Sequence, residues 1–171
     1  MKFLILGFAQ SGKDTFADYV VKEYSLKFKS ASMLIAEKII MPKFPGRYNS
    51  VEECYADRVN HRAVWAKLLE EYIEDDKTRF IREVFDESEI YCGLRSPTEL
   101  LAAKKENLFD LSIWIDRNMC FEDKSSCGLT KHYADIIIEN NGSLEELYDK
   151  ADRLFCLFDE FYLHSENYDF Q

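Results

Sequence analysis

A chain of 171 residues, 47% apolar and 15% aromatic, has the composition of a globular protein, and its length suits a single domain with a substantial core. The formal charge of −10 is uneven: residues 135–171 hold ten acidic and two basic side chains, and no basic stripe of the kind that tracks a nucleic-acid backbone occurs elsewhere. A nucleic-acid partner is therefore disfavoured, whereas small anions held by a few placed Arg and Lys side chains remain compatible. No apolar run approaches the ~20 residues that cross a bilayer. The amino-terminal apolar stretch is too short for a secretory leader, so a soluble, cytoplasmic protein without a membrane partner is expected. Five scattered cysteines with no C-x-x-C pair are expected to be reduced. Cys120, Cys127 and His132 lack a standard metal spacing and a fourth ligand, so no metal is assigned to them.

Residues 3–6 read as an apolar strand running into Gly7-Phe8-Ala9-Gln10-Ser11-Gly12-Lys13. This is the G-x-x-x-x-G-K spacing of a phosphate-binding loop between strand and helix, with Asp14 in place of the usual Ser or Thr and Thr15 after it. Glycines let such a loop curl until successive backbone N–H groups converge on an anion, and the following helix N-terminus adds partial positive charge. Residues 13–24 carry Phe16, Tyr19, Val20 and Tyr24 at helical spacing. A short strand is expected over 26–29, a turn at Ser30 to Ser32 and a helix over 33–40. Pro42, Pro45 and Gly46 are expected to end that helix and open an irregular stretch to about Ser50.

Residues 51–85 are helical in pattern, with Val64, Leu68, Tyr72 and Ile73 on one apolar face and a break near Asp75 and Asp76. Phe80, Ile81, Val84 and Phe85 form the next face. Arg58, Arg62, Lys67 and Arg79 are scattered through this region and, taken singly, read as solvated helix charges. A strand over 90–94 ends in Arg95-Ser96-Pro97, with Pro97 suited to the first turn of a helix over 98–105 and Ser96 with Glu99 as its cap. Residues 109–115 form a strand closed by Asp116 and Arg117. The polar residues 117–131 are a candidate short lid. A last strand, 134–139, turns through Asn140-Asn141-Gly142 into a helix opened by the Ser143–Glu146 capping box. The tail from Tyr162 has no clear pattern. Strands alternating with helices predict an α/β fold: a parallel sheet of about five strands, helices on both faces, ligands at the strands' carboxyl ends.

The chain lacks the base-reading N-K-x-D of a GTPase and is short for a large ATPase, which leaves a small phosphotransferase. The segment G-F-A-Q-S-G-K-D-T-F-A-D resembles the bacteriophage deoxynucleoside-monophosphate kinases. A-D-I-I-I-E-N-N-G-S-L-E-E-L, residues 134–147, resembles the same family and the wider group containing dephospho-coenzyme-A kinase. The helix carrying Arg62 and the Gly93-Leu94-Arg95 strand end are similar to the family's acceptor-side arginines. The resemblance implies a P-loop kinase-type three-layer α/β/α fold and an ATP-dependent, magnesium-assisted phosphotransferase acting on a deoxynucleoside monophosphate, with a phage-modified one as the narrower option.

Carried over residue by residue, Gly7, Ala9, Gln10, Ser11, Gly12, Lys13, Asp14 and Thr15 would hold the donor phosphates, with Lys13 bridging β and γ. Asp14 would hold Mg2+ directly or through water, or orient the acceptor oxygen. Asp116 is a second metal candidate, or a turn cap. Asn140, Asn141 and Gly142 would lie against the adenine. Arg62 and Arg95 would bind the acceptor phosphate with their planar forks. Arg117 would stabilise the phosphoryl group in flight, completing a catalytic set with Lys13, Asp14 and Arg95. Trp65 and Trp114 are expected in the core. The competing readings are a kinase for 5-hydroxymethyluracil in DNA, a kinase for another small metabolite, and a nucleotide-binding regulatory module without catalysis. The acceptor base and the oligomeric state, a dimer included, stay open.

Overall fold

Four short apolar runs build the sheet. The computed structural model describes residues 1–118 and 128–165. In it β1 (Phe3–Leu6), β2 (Ile90–Cys92), β3 (Leu111–Asp116) and β4 (Ile136–Glu139) lie in the order β2-β1-β3-β4, every pair parallel. Phe3 is in register with Ile90 and Leu111, and Ile113 with Ile136. A parallel strand is covered on both faces, and β1 is accordingly apolar and buried throughout. Its side chains alternate between two cores: Leu4 and Leu6 face one, Phe3 and Ile5 the other.

The second core is closed by α1 (Lys13–Glu23) and the carboxyl-terminal helix, which hold Phe16, Val20, Leu147 and Phe155 against the sheet. The first core is closed by a longer helical run. α2 (Ala31–Ile35) continues through a π-helical turn, Ala36–Ile40, into α3 (Met41–Lys43). Pro42 was expected to break this helix and does not. The Met41 N–H reaches back five residues to Ala36, and that wider turn makes room where a proline ring would otherwise strike the preceding turn. Next come α4 (Val51–Asp57), capped by Ser50, then a 3-10 turn, Arg58–Asn60, and α5 (Arg62–Tyr72) and α6 (Arg79–Glu87). The sequence pattern had not separated α4 from α5.

α7 (Pro97–Lys105) follows β2 and α8 (Leu144–Ser165) follows β4, and their caps form as expected: Glu99 N–H to Ser96 Oγ at 3.4 Å and Glu146 N–H to Ser143 Oγ at 3.2 Å. The described residues contain four strands, not about five. Residues 26–29 run beside the entry to β2 without joining its ladder. Lys27 exchanges bonds with the Glu89 backbone and carboxylate, and Lys29 N–H donates to Ser88 Oγ at 2.6 Å. Most of the expected lid lies outside the described residues, as does the tail beyond Ser165. Among the described residues no helix is long and apolar enough to cross a membrane.

Candidate functional site at the sheet's switch point

The chain leaving β1 turns toward β2, on one side, and the chain leaving β3 turns toward β4, on the other. Such a reversal opens a crevice at the carboxyl ends of the two strands, the usual place for a ligand in an α/β sheet. The Gly7–Lys13 segment sits there. Gly7, at φ 151, lies so close to β3 that a Cβ would stand 2.8 Å from the Ile115 carbonyl and 2.5 Å from Ser11 Oγ. Gln10 and Gly12 also have positive φ, 63 and 92, and Ser11 N–H closes the turn on Phe8 O at 3.2 Å. Gln10 is not a glycine, so its conformation is sustained by the surrounding loop at some local cost. α1 starts at once after Gly12 with no side-chain cap on its first turn, unlike α4 and α7. Its leading N–H groups are left for an external acceptor.

Lys13 and Asp14 differ sharply in exposure. The Lys13 side chain is 12% exposed and that of Asp14 is 77%, and the two meet at 3.1 Å. Cys92, at the end of β2, points its thiol at the other Asp14 oxygen at 3.4 Å; burial, and then the Asp14 charge, push that thiol's pKa far up, so it stays protonated. Asp14 therefore offers an open carboxylate beside a neutral donor. Mg2+ keeps most of its waters and takes one or two carboxylates besides substrate phosphates, and the exposed Asp14 carboxylate next to Lys13 fits that requirement. Among the described residues no cluster of three or more metal-binding side chains exists. Thr15 is exposed on the same turn.

Asp116 closes β3, and Lys131 pairs with its carboxylate at 2.7 Å; that hydrogen bond raises the lysine's pKa. Arg117 is exposed just beyond. The loop after β4 comes to the same place: Asn140 N–H donates to Asp116 O at 2.7 Å, Asn140 Nδ2 to Ser11 O at 2.8 Å, and Asn141 Oδ1 accepts from Asn118 N–H at 2.8 Å. Gly142 abuts the Glu146 carboxylate, which folds back over the helix start. The side chains of both asparagines thus bond within the site's framework.

The expected acceptor arginines form a second grouping. Arg62 opens α5 and Arg95 follows β2, both exposed. Within the fields of both lies Arg58, whose expected role was a solvated helix charge. It is half-buried over the Trp65 ring, 6.0 Å from its centroid. Burial, followed by the positive fields of Arg62 and Arg95, lowers its pKa. Arg58 thus lies within the fields of the two arginines expected on the acceptor side. Nearby on α7, burial lifts the Glu99 carboxyl to about 7, against weaker opposing pulls from Ser96 and Lys77. Trp65 and Trp114 are buried as expected.

No protein-family model matches this chain, and no curated protein matches it.

Proposed function

We propose that this protein is an ATP-dependent phosphotransferase whose acceptor is a deoxynucleoside monophosphate. The observation that carries the reading is the curled Gly7–Gly12 loop at the switch point, followed by an uncapped helix start and the largely buried Lys13. The loop amides and Lys13 hold the donor phosphates, and Asp14 would hold an accompanying magnesium ion, directly or through water. That ion, when bound, neutralises charge on the transferred group. Arg58, Arg62 and Arg95 supply the fixed positive charge that an acceptor monophosphate needs, and Arg117 borders the crevice from the β3 side. The likeness of the loop and of residues 134–147 to phage deoxynucleoside-monophosphate kinases points the same way. Catalysis in such a site is mainly positioning and charge neutralisation.

The test is an acceptor panel. The protein is incubated with γ-labelled ATP and magnesium, and each dNMP, hydroxymethyl-dUMP and 5-hydroxymethyluracil-containing DNA are offered in parallel. Label passing to one or more free monophosphates is the expected result. Label moving only into DNA would replace the proposed acceptor, and no transfer to anything would leave a nucleotide-binding module.

A further inference from the structure

The Ser11 carbonyl lies in a residue that is 1% exposed, out of reach of bulk water, and a buried carbonyl requires a donor. Asn140 Nδ2 is that donor, at 2.8 Å. The same amide lies against Gly12, where any Cβ would overlap it. A loop that binds an anion through its backbone works only with its N–H groups inward and its carbonyls outward. Gly12, at φ 92, is where that arrangement is least secure, because glycine adopts either sign of φ with little penalty. Rotation of the Ser11–Gly12 peptide would turn an oxygen toward the anion.

We propose that Asn140 is a positioning residue that holds the Ser11–Gly12 peptide oxygen-outward and so keeps the loop's N–H groups converged on the donor phosphates. The proposal rests on the phosphate-binding reading of this loop. It assigns the Asn140 side chain to the phosphate end of the donor and not to its base. The Asn140 backbone is anchored in turn on Asp116 O at 2.7 Å, so the support comes from the end of β3 rather than from the loop itself.

The test uses calorimetric binding of magnesium-ADP and of magnesium-pyrophosphate to the wild type, Asn140→Ala, Asn140→Asp and Lys13→Ala. Pyrophosphate has no base, so it reports on the loop alone. Asn140→Ala removes the donor and should weaken both ligands about tenfold, the scale of one buried carbonyl left unsatisfied. Asn140→Asp keeps the shape but sets an acceptor against the Ser11 carbonyl, and should weaken both ligands further than the alanine. Weaker ADP with unchanged pyrophosphate would overturn the proposal by placing Asn140 at the base. Equal weakening by the two variants would overturn it in favour of lost packing. Wild-type affinity in both variants, with binding lost in Lys13→Ala, would overturn it while sparing the phosphate-binding reading. Should Lys13→Ala bind as the wild type does, or the wild type bind neither ligand, that reading falls and the proposal with it. If the aspartate variant does not fold, the alanine variant's ADP-to-pyrophosphate comparison still decides between phosphate and base.

Discussion

Arg58 owes its place to its neighbours. It is half-buried on Trp65 and lies in the fields of Arg62 and Arg95, the two arginines expected on the acceptor side. Arg58→Ala should therefore raise the acceptor KM at least about tenfold, the value of one charge-assisted phosphate contact, while leaving the KM for ATP unchanged. Loss in the ATP KM instead would detach the arginine grouping from the acceptor. Glu99 gives a second residue-scale prediction. Its folded pKa, about 7, exceeds its ordinary 4.5, so between those values the folded protein keeps a proton that the unfolded chain has released. Stability from this group is therefore lost as pH rises from 4.5 toward 7. Glu99→Gln should flatten that decline and raise the melting temperature at pH 7 by about 2–4 °C, after allowance for partial exposure. An unaltered slope between pH 5 and 7 would show that Glu99 does not titrate as its burial requires.

At the scale of elements, α1 carries Lys13 and Asp14, and its orientation is fixed by α8. Tyr19 and Tyr24 of the α1 segment both donate to the Asp152 carboxylate, at 2.9 and 3.1 Å, and Tyr19 stacks on Tyr148 at 3.9 Å. The Asp152 hydrogen bond raises Tyr19 to about 12. Asp152→Ala should cost about 1–2 kcal/mol in a urea melt, whereas Asp152→Asn, which keeps an oxygen acceptor, should cost less. Equal losses would mean that charge, not hydrogen bonding, joins the helices. Elements of this kind could be read from the chain because their signals are local. Apolar runs gave β1, β3 and β4, and Ser96 and Ser143 announced the starts of α7 and α8. Residues 26–29 misled because Leu-Lys-Phe-Lys alternates like a strand, yet its partners, Ser88 and Glu89, are side chains and backbone outside the ladder. Pro42 misled because the π-helical turn that accommodates it has no composition of its own. Arg58 was missed because its neighbours come from the corner between α4 and α5 and from the end of β2, a meeting made only by folding. The tight turn at Gly7–Gly12 was readable because its glycines mark positions where φ is positive and the backbone packs closely.

Over the whole molecule, negative charge is in excess and densest toward the carboxyl end. The acidic carboxyl-terminal region, net −8 over residues 135–171, includes α8, which packs with α1 on one face; the three arginines belong to the layer on the other. A net charge of −10 repels a polyanion, whereas a monophosphate needs only a few placed cations. A duplex needs a track of cations, and its affinity falls steeply with salt in proportion to the phosphates neutralised, about 0.9 per contact on a logarithmic scale. Fluorescence anisotropy at 50 mM salt should consequently show no binding of a duplex containing 5-hydroxymethyluracil at protein concentrations well above the dNMP KM. The same duplex should not inhibit transfer to a free dNMP. Tight duplex binding with a salt slope above about 3, more contacts than Arg58, Arg62 and Arg95 can supply, would mean that basic side chains elsewhere complete a track, and would move the acceptor from a free nucleotide to DNA.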